Sequence, residues 1–138
     1  MNRTVLNKAW TAMKHSLRLL SVVTALNVLV ACGFALTGLV RPAAMLPAGV
    51  GATYGATIFA AYAAARTVPL AVMVLIAIVR QSRQSLTMLG TLAGAIQLCD
   101  VVVGFYQRDL GKTLGPLVIC LLQGYALVTV ARPSGATT

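Results

Sequence analysis

Apolar and polar positions divide the chain into four long hydrophobic runs with short polar breaks between them, and the spacing within each run is helical. The first run, Leu19 to Val40, contains no charged residue and is long enough as helix to cross a hydrocarbon core of about 30 Å. Arg41-Pro42 and Pro47 close it. A second span is predicted over 53–79, a third over 86–106 and a fourth over 114–131. The breaks between them are Arg80-Gln81-Ser82-Arg83-Gln84-Ser85 and Gln107-Arg108-Asp109-Leu110-Gly111-Lys112. Ahead of the first span, residues 1–17 place Val5, Leu6, Ala9, Trp10, Met13 and Leu17 at helical spacing among Arg3, Lys8 and Lys14, a basic amphipathic helix suited to the membrane surface. Residues 132–138 read as a short disordered tail. The pattern as a whole predicts an all-α integral membrane protein, an antiparallel four-helix transmembrane bundle preceded by an amphipathic surface helix.

Composition agrees, since 59% hydrophobic and 9% charged residues over 138 do not suit a soluble domain of this size. The net charge of +9 changes the reading of topology more than of partners. Basic residues stand at the ends of apolar runs and form no stripe with interleaved aromatics, so nucleic acid is not an expected partner. With four spans, Arg3, Lys8, Lys14, Arg18, Arg80, Arg83 and Arg132 fall on one side, against Arg41, Arg108 and Lys112 on the other. The positive-inside rule then places both termini in the cytoplasm, in the plasma (inner) membrane if the source is bacterial. On that side Asn2-Arg3-Thr4 would not be glycosylated.

Several motif look-alikes fail on context. Leu29-Val30-Ala31-Cys32 imitates a lipoprotein processing site, but the run stays hydrophobic through Phe34, Leu36 and Leu39. Gly111-Lys112-Thr113 lacks the upstream glycine and preceding strand of a phosphate-binding loop. Cys32, Cys99 and Cys120 lie within hydrophobic runs, form no C-x-x-C pair and share no spacing with His15, so they read as small packing residues. No metal and no cofactor is expected.

The candidate chemistry lies in polar residues inside the spans. Arg66 and Asp100 are ionisable residues of opposite sign within apolar helix, each costing about 2.5 to 3.5 kcal/mol at a helix centre on insertion scales. Their depths, about 12 Å and about 9 Å below the outer edge, agree well enough for them to meet between spans two and three. Tyr62 stands one turn before Arg66 on the same face, and Pro69 frees a backbone carbonyl beside it, with a kink expected there. Gly51, Gly55 and the segment 60–65 form a small-residue face for a neighbouring helix. In span three, Gly90, Ala93, Gly94, Gln97, Asp100 and Gly104 make a small and polar inward stripe. With Asn27 and Gln123, each span offers a polar residue to a shared interior: Asp100 and Arg66 as catalytic candidates, Asn27, Tyr62, Gln97 and Gln123 as ligand-binding ones.

The order of Arg41-Pro42 after the first span, Ala63-Ala64-Ala65-Arg66-Thr67 in the second, and Gly90 with a late Asp100 in the third resembles the small four-span membrane proteins of the DoxX-like families, from roughly Gly33 to Val130. The resemblance implies a four-span fold. Some small relatives by architecture are isomerases or cyclases of sterols and terpenoids, which implies a lipophilic substrate; it assigns no catalytic residue.

Three functions remain open on the sequence. The first is an intramembrane pocket that binds, and on its fuller form isomerises or cyclises, a lipophilic small molecule, with Arg66 holding an oxygen-bearing group and Asp100 beside it. The second is a structural or accessory membrane subunit whose polar residues only fix helix packing. The third is a proton-coupled transporter, which a guanidinium next to Asp100 disfavours. The expected partners are the lipid bilayer and a lipophilic small molecule, with a homo-oligomer left open.

Overall fold

The computed structural model describes residues 3–47 and 49–132, apart from the side chains at positions 5, 6, 8 and 9. The tail beyond Arg132 and the Asn2 of the glycosylation triplet lie outside the described residues. Those described form four long helices and one short 3-10 turn, with no strand. The helices are α1 (Arg3–Val40), α2 (Tyr54–Val79), α3 (Arg83–Tyr106) and α4 (Leu110–Ala131), and the 3-10 turn is Pro42–Met45. All four contain a stretch long and apolar enough to cross a membrane.

The helix starts and stops follow from local chemistry. α1 is unbroken from Arg3 to Val40. The amphipathic segment, expected to lie on the membrane surface and lead into the first span, is continuous from Arg3 with that apolar run, since neither glycine nor proline interrupts the chain before Gly33. Its exposed first part is tied to itself by Lys14, whose ammonium lies 4.0 Å from the centre of the Trp10 ring one turn earlier. Arg41-Pro42 ends α1, and Thr53 starts α2 by accepting the amide of Ala56 at 3.2 Å. α2 runs continuously through Pro69, so the proline does not end the span.

The two remaining connections share one construction. At the first, Gln81 takes a left-handed backbone (φ 50), its amide bonds to Ile78 O (3.0 Å), and the next amide, of Ser82, bonds to Ala77 O (3.1 Å). At the second, Arg108 (φ 53) bonds to Phe105 O (3.0 Å) and Asp109 to Gly104 O (3.2 Å). In each case the residue that closes one helix caps the next: Ser82 Oγ accepts the amide of Ser85 (3.3 Å), and Asp109 Oδ1 that of Lys112 (3.2 Å). For this reason α3 and α4 start at 83 and 110, earlier than the hydrophobic runs at 86 and 114.

The Asp109 cap is pH-sensitive in a defined direction. The backbone hydrogen bond from Lys112, reinforced by the Lys112 side chain, holds the carboxyl below its ordinary value of 3.8. A depressed carboxylate contributes stability above the unfolded-state pKa and loses it as pH falls through the folded one. Acidification below that ordinary value is therefore expected to loosen the start of α4. Asp109→Asn, which keeps a capping oxygen, should flatten this part of the acid response. Thermal melting followed by circular dichroism from neutral to acid pH checks it, and an unchanged acid slope in the variant would contradict the assignment.

The core lies along the centre of the bundle in two apolar clusters. Leu20, Ala77, Leu86, Ala126 and Val130 join all four helices, and Val28, Ala71, Val74 and Ala93 join α1, α2 and α3. α2 enters the core on its small side, through Ala64, Ala71, Val74 and Ala77. The expected close approach at Gly51 and Gly55 does not occur, since neither meets a neighbouring helix. Within the expected segment 60–65 it does occur: an added Cβ at Gly38 of α1 would lie 3.7 Å from Cβ of Ala60. The outer wall is largely apolar, with Val79, Phe59 and Leu110 each at least three-quarters exposed.

Candidate functional site

Among the described residues the polar interior is centred on three amides and a threonine hydroxyl, with Ser21 bonded separately to Leu17 O. Gln97 Nε2 on α3 donates to Asn27 Oδ1 on α1 at 2.7 Å, and Asn27 Nδ2 donates to Gln123 Oε1 on α4 at 3.4 Å. Gln123 Nε2 then donates to Thr24 Oγ1 on α1 at 2.9 Å. All four side chains are at most 3% exposed. Donors and acceptors match in sequence along the chain, and no buried side-chain nitrogen or oxygen is left without a partner among the described residues. The arrangement ties three helices at one level of the bundle.

Glycines make room for it. A Cβ at Gly90 would lie 2.7 Å from Gln123 Nε2 and 3.2 Å from Thr24 Oγ1, so the Gln123 amide occupies the space that a side chain at position 90 would take. Gly94 likewise faces Gln123 Cγ. The Gly90/Gly94 spacing therefore accommodates the side chain of one residue of α4.

Asn27, Gln97 and Gln123 thus come together, as the polarity of the spans suggests. Thr24 was not among the candidates, although it stands one turn before Asn27 on the same face and that spacing could have indicated it. The remaining candidates do not join the network. Arg66, Tyr62 and Asp100 are exposed on the outer wall. The expected Arg66–Asp100 ion pair is not formed: the single ion pair among the described residues is Lys112–Asp109, at 3.4 Å. Neither Arg66 nor Asp100 has a hydrogen-bond or ion-pair partner among those residues. The cause is the rotation of α2. Burying Ala64, Ala71 and Val74 leaves Arg66 on the flank of the helix, outside the packed interior.

Two basic residues read only as topology markers have specific work. Arg83 Nη2 donates to the carbonyl of Val130 at 2.6 Å, satisfying the last turn of α4. Lys112 Nζ bonds to Met45 O (3.2 Å) and Gln107 Oε1 (3.1 Å), which fastens the connection after α1 to the α3–α4 corner. Of the cysteines, Cys32 and Cys120 are partly buried, as packing residues would be, whereas Cys99 lies exposed on the outer wall beside Asp100. Among the described residues one shallow depression runs along Val30, Phe34 and Met45, and another along Arg83, Met88 and Val130. Neither includes a candidate residue. No protein-family model, curated protein or solved structure matches this chain, so any reading of its function rests on the amide network and the two outward charges.

Proposed function

We propose that this chain is a structural or accessory subunit of a membrane, an antiparallel bundle of four spans whose interior maintains the packing and whose outer wall makes the functional contacts. The observation that carries this reading is the closed set of bonds among Thr24, Asn27, Gln97 and Gln123, which uses the interior polar groups on one another. The antiparallel arrangement is supported by Arg83, in the first turn of α3, bonding to Val130 near the end of α4. It is supported again by Gly104, late in α3, lying against Lys112 and Thr113 at the start of α4. Tyr54 and Tyr106, exposed at the start of α2 and the end of α3, suit one membrane–water boundary. The distribution of basic residues favours cytoplasmic termini.

A second reading keeps the lipophilic ligand and its isomerisation or cyclisation, moved from the interior to the outer wall. It is favoured by Arg66 and Asp100 standing without partners among the described residues. Native mass spectrometry of protein taken directly from membranes into lipid nanodiscs separates the two. The accessory reading expects no lipophilic molecule whose retention differs between the wild type and Arg66→Lys or Asp100→Asn. A molecule retained by the wild type and lost from both variants would overturn it.

A further inference from the structure

Arg66 and Asp100 border one seam of the bundle. On α2, Arg66 lies three turns along the same line from Ala77, which packs in one cluster with Leu86 of α3. On α3, Asp100 lies three turns along the same line from Leu89, which packs against the clusters holding Ala71, Val74 and Ala77 of α2. The seam is therefore closed next to the Gln81–Ser82 corner and carries its two charges exposed further along. Counted from the packed end, they differ in depth by about 5 Å, less than one helical turn. Around them Phe59, Tyr62, Met73 and Val103 are each more than half exposed.

We propose that this wall is the contact face of a homodimer in which Arg66 of each copy pairs with Asp100 of the other. The proposal rests on the accessory-subunit reading and names its partner as a second copy of this chain. Lipid headgroups lie at the membrane boundary, whereas Arg66 is near the middle of the 26-residue α2. A partner carrying one sign of charge would leave the other uncompensated, while a second copy supplies both signs. Depth is the deciding constraint. A two-fold axis along the membrane normal moves no residue up or down, so a base and an acid at matching depth on one copy face an acid and a base on the other. The interface is then self-complementary and contains two charge-assisted pairs, away from water.

The test is stoichiometry in lipid bilayers, read by single-molecule photobleaching of the full chain. The wild type is expected to be dimeric, and Arg66→Asp and Asp100→Arg, each alone, to associate about a hundredfold or more weakly because like charges then face each other. Mixing the two single variants should restore dimers, since one then carries two acids and the other two bases. A monomeric wild type, single variants as dimeric as the wild type, or recovery only when both substitutions sit in one chain would each overturn the proposal. Should the charge reversals fail to fold, Arg66→Gln and Asp100→Asn serve instead, and undiminished dimers in both would overturn it equally. A monomer with its helices intact and no bound lipophile sinks the dimer alone. A lipophile whose retention needs Arg66 and Asp100 sinks the accessory reading beneath it.

Discussion

Gly104→Ala is expected to destabilise the bundle by about 3 kcal/mol, although it adds one methyl group to a helix. The added Cβ would meet the carbonyl carbon of Lys112 at 2.6 Å and the amide nitrogen of Thr113 at 2.8 Å, with the Lys112 oxygen nearer still. These are backbone atoms in the first turn of α4, and they cannot rotate away as a side-chain tip would. Either α4 shifts from α3 or the Arg108 corner opens, and the Lys112 contacts to Met45 and Gln107 are lost with it. Gly124→Ala is the matched control: nothing lies within 4 Å of its Cβ position, so helix propensity alone should act, adding up to about 1 kcal/mol of stability. Thermal melting of both variants in one detergent checks the pair. Equal melting temperatures would mean that α3 and α4 do not approach as closely as described.

Gln123→Leu is expected to cost about 2 kcal/mol, because it leaves Asn27 Nδ2 without an acceptor and the Thr24 hydroxyl without its donor in a buried site. Asn27→Leu should be comparable, since it breaks the bonds to both Gln97 and Gln123. The more telling result is the triple variant Asn27→Leu, Gln97→Leu, Gln123→Leu. Replacing all three amides removes the orphaned partners along with the bonds, so its total cost should fall well short of the sum of the single costs. Melting curves of the singles and the triple, recorded together, decide this. Strictly additive costs would show that the amides act independently.

The sequence made the four helices and the three amides of the network legible for the same reason. A polar side chain or a proline stands out against apolar helix, so Asn27, Gln97 and Gln123 announce themselves, as do Arg41-Pro42 and the polar breaks. Rotation was harder. Which side of α2 faces inward is decided by the competition between burying small residues and burying a charge, and Ala64, Ala71 and Val74 won, leaving Arg66 on the wall. The expectation of an ion pair within the chain weighed the cost of an isolated charge and left out the packing that rotates the helix. Arg83 and Leu110 read as loop from their polar surroundings, but capping by Ser82 and Asp109 brings them into α3 and α4.

The corners at Gln81 and Arg108 have a mechanical consequence. Since one residue both finishes a helix and begins the next, neither joint has slack, and adding a residue there would turn everything downstream by about 100°. The registers of α2 against α3 and of α3 against α4 are therefore set at the corners themselves. α1 is held differently: Lys112 fastens the turn after it to the α3–α4 corner through Met45 O, and its register against the other helices is set inside the bundle. Asn27 then acts as the locating pin of α1, its one amide bonded at once to Gln97 of α3 and Gln123 of α4.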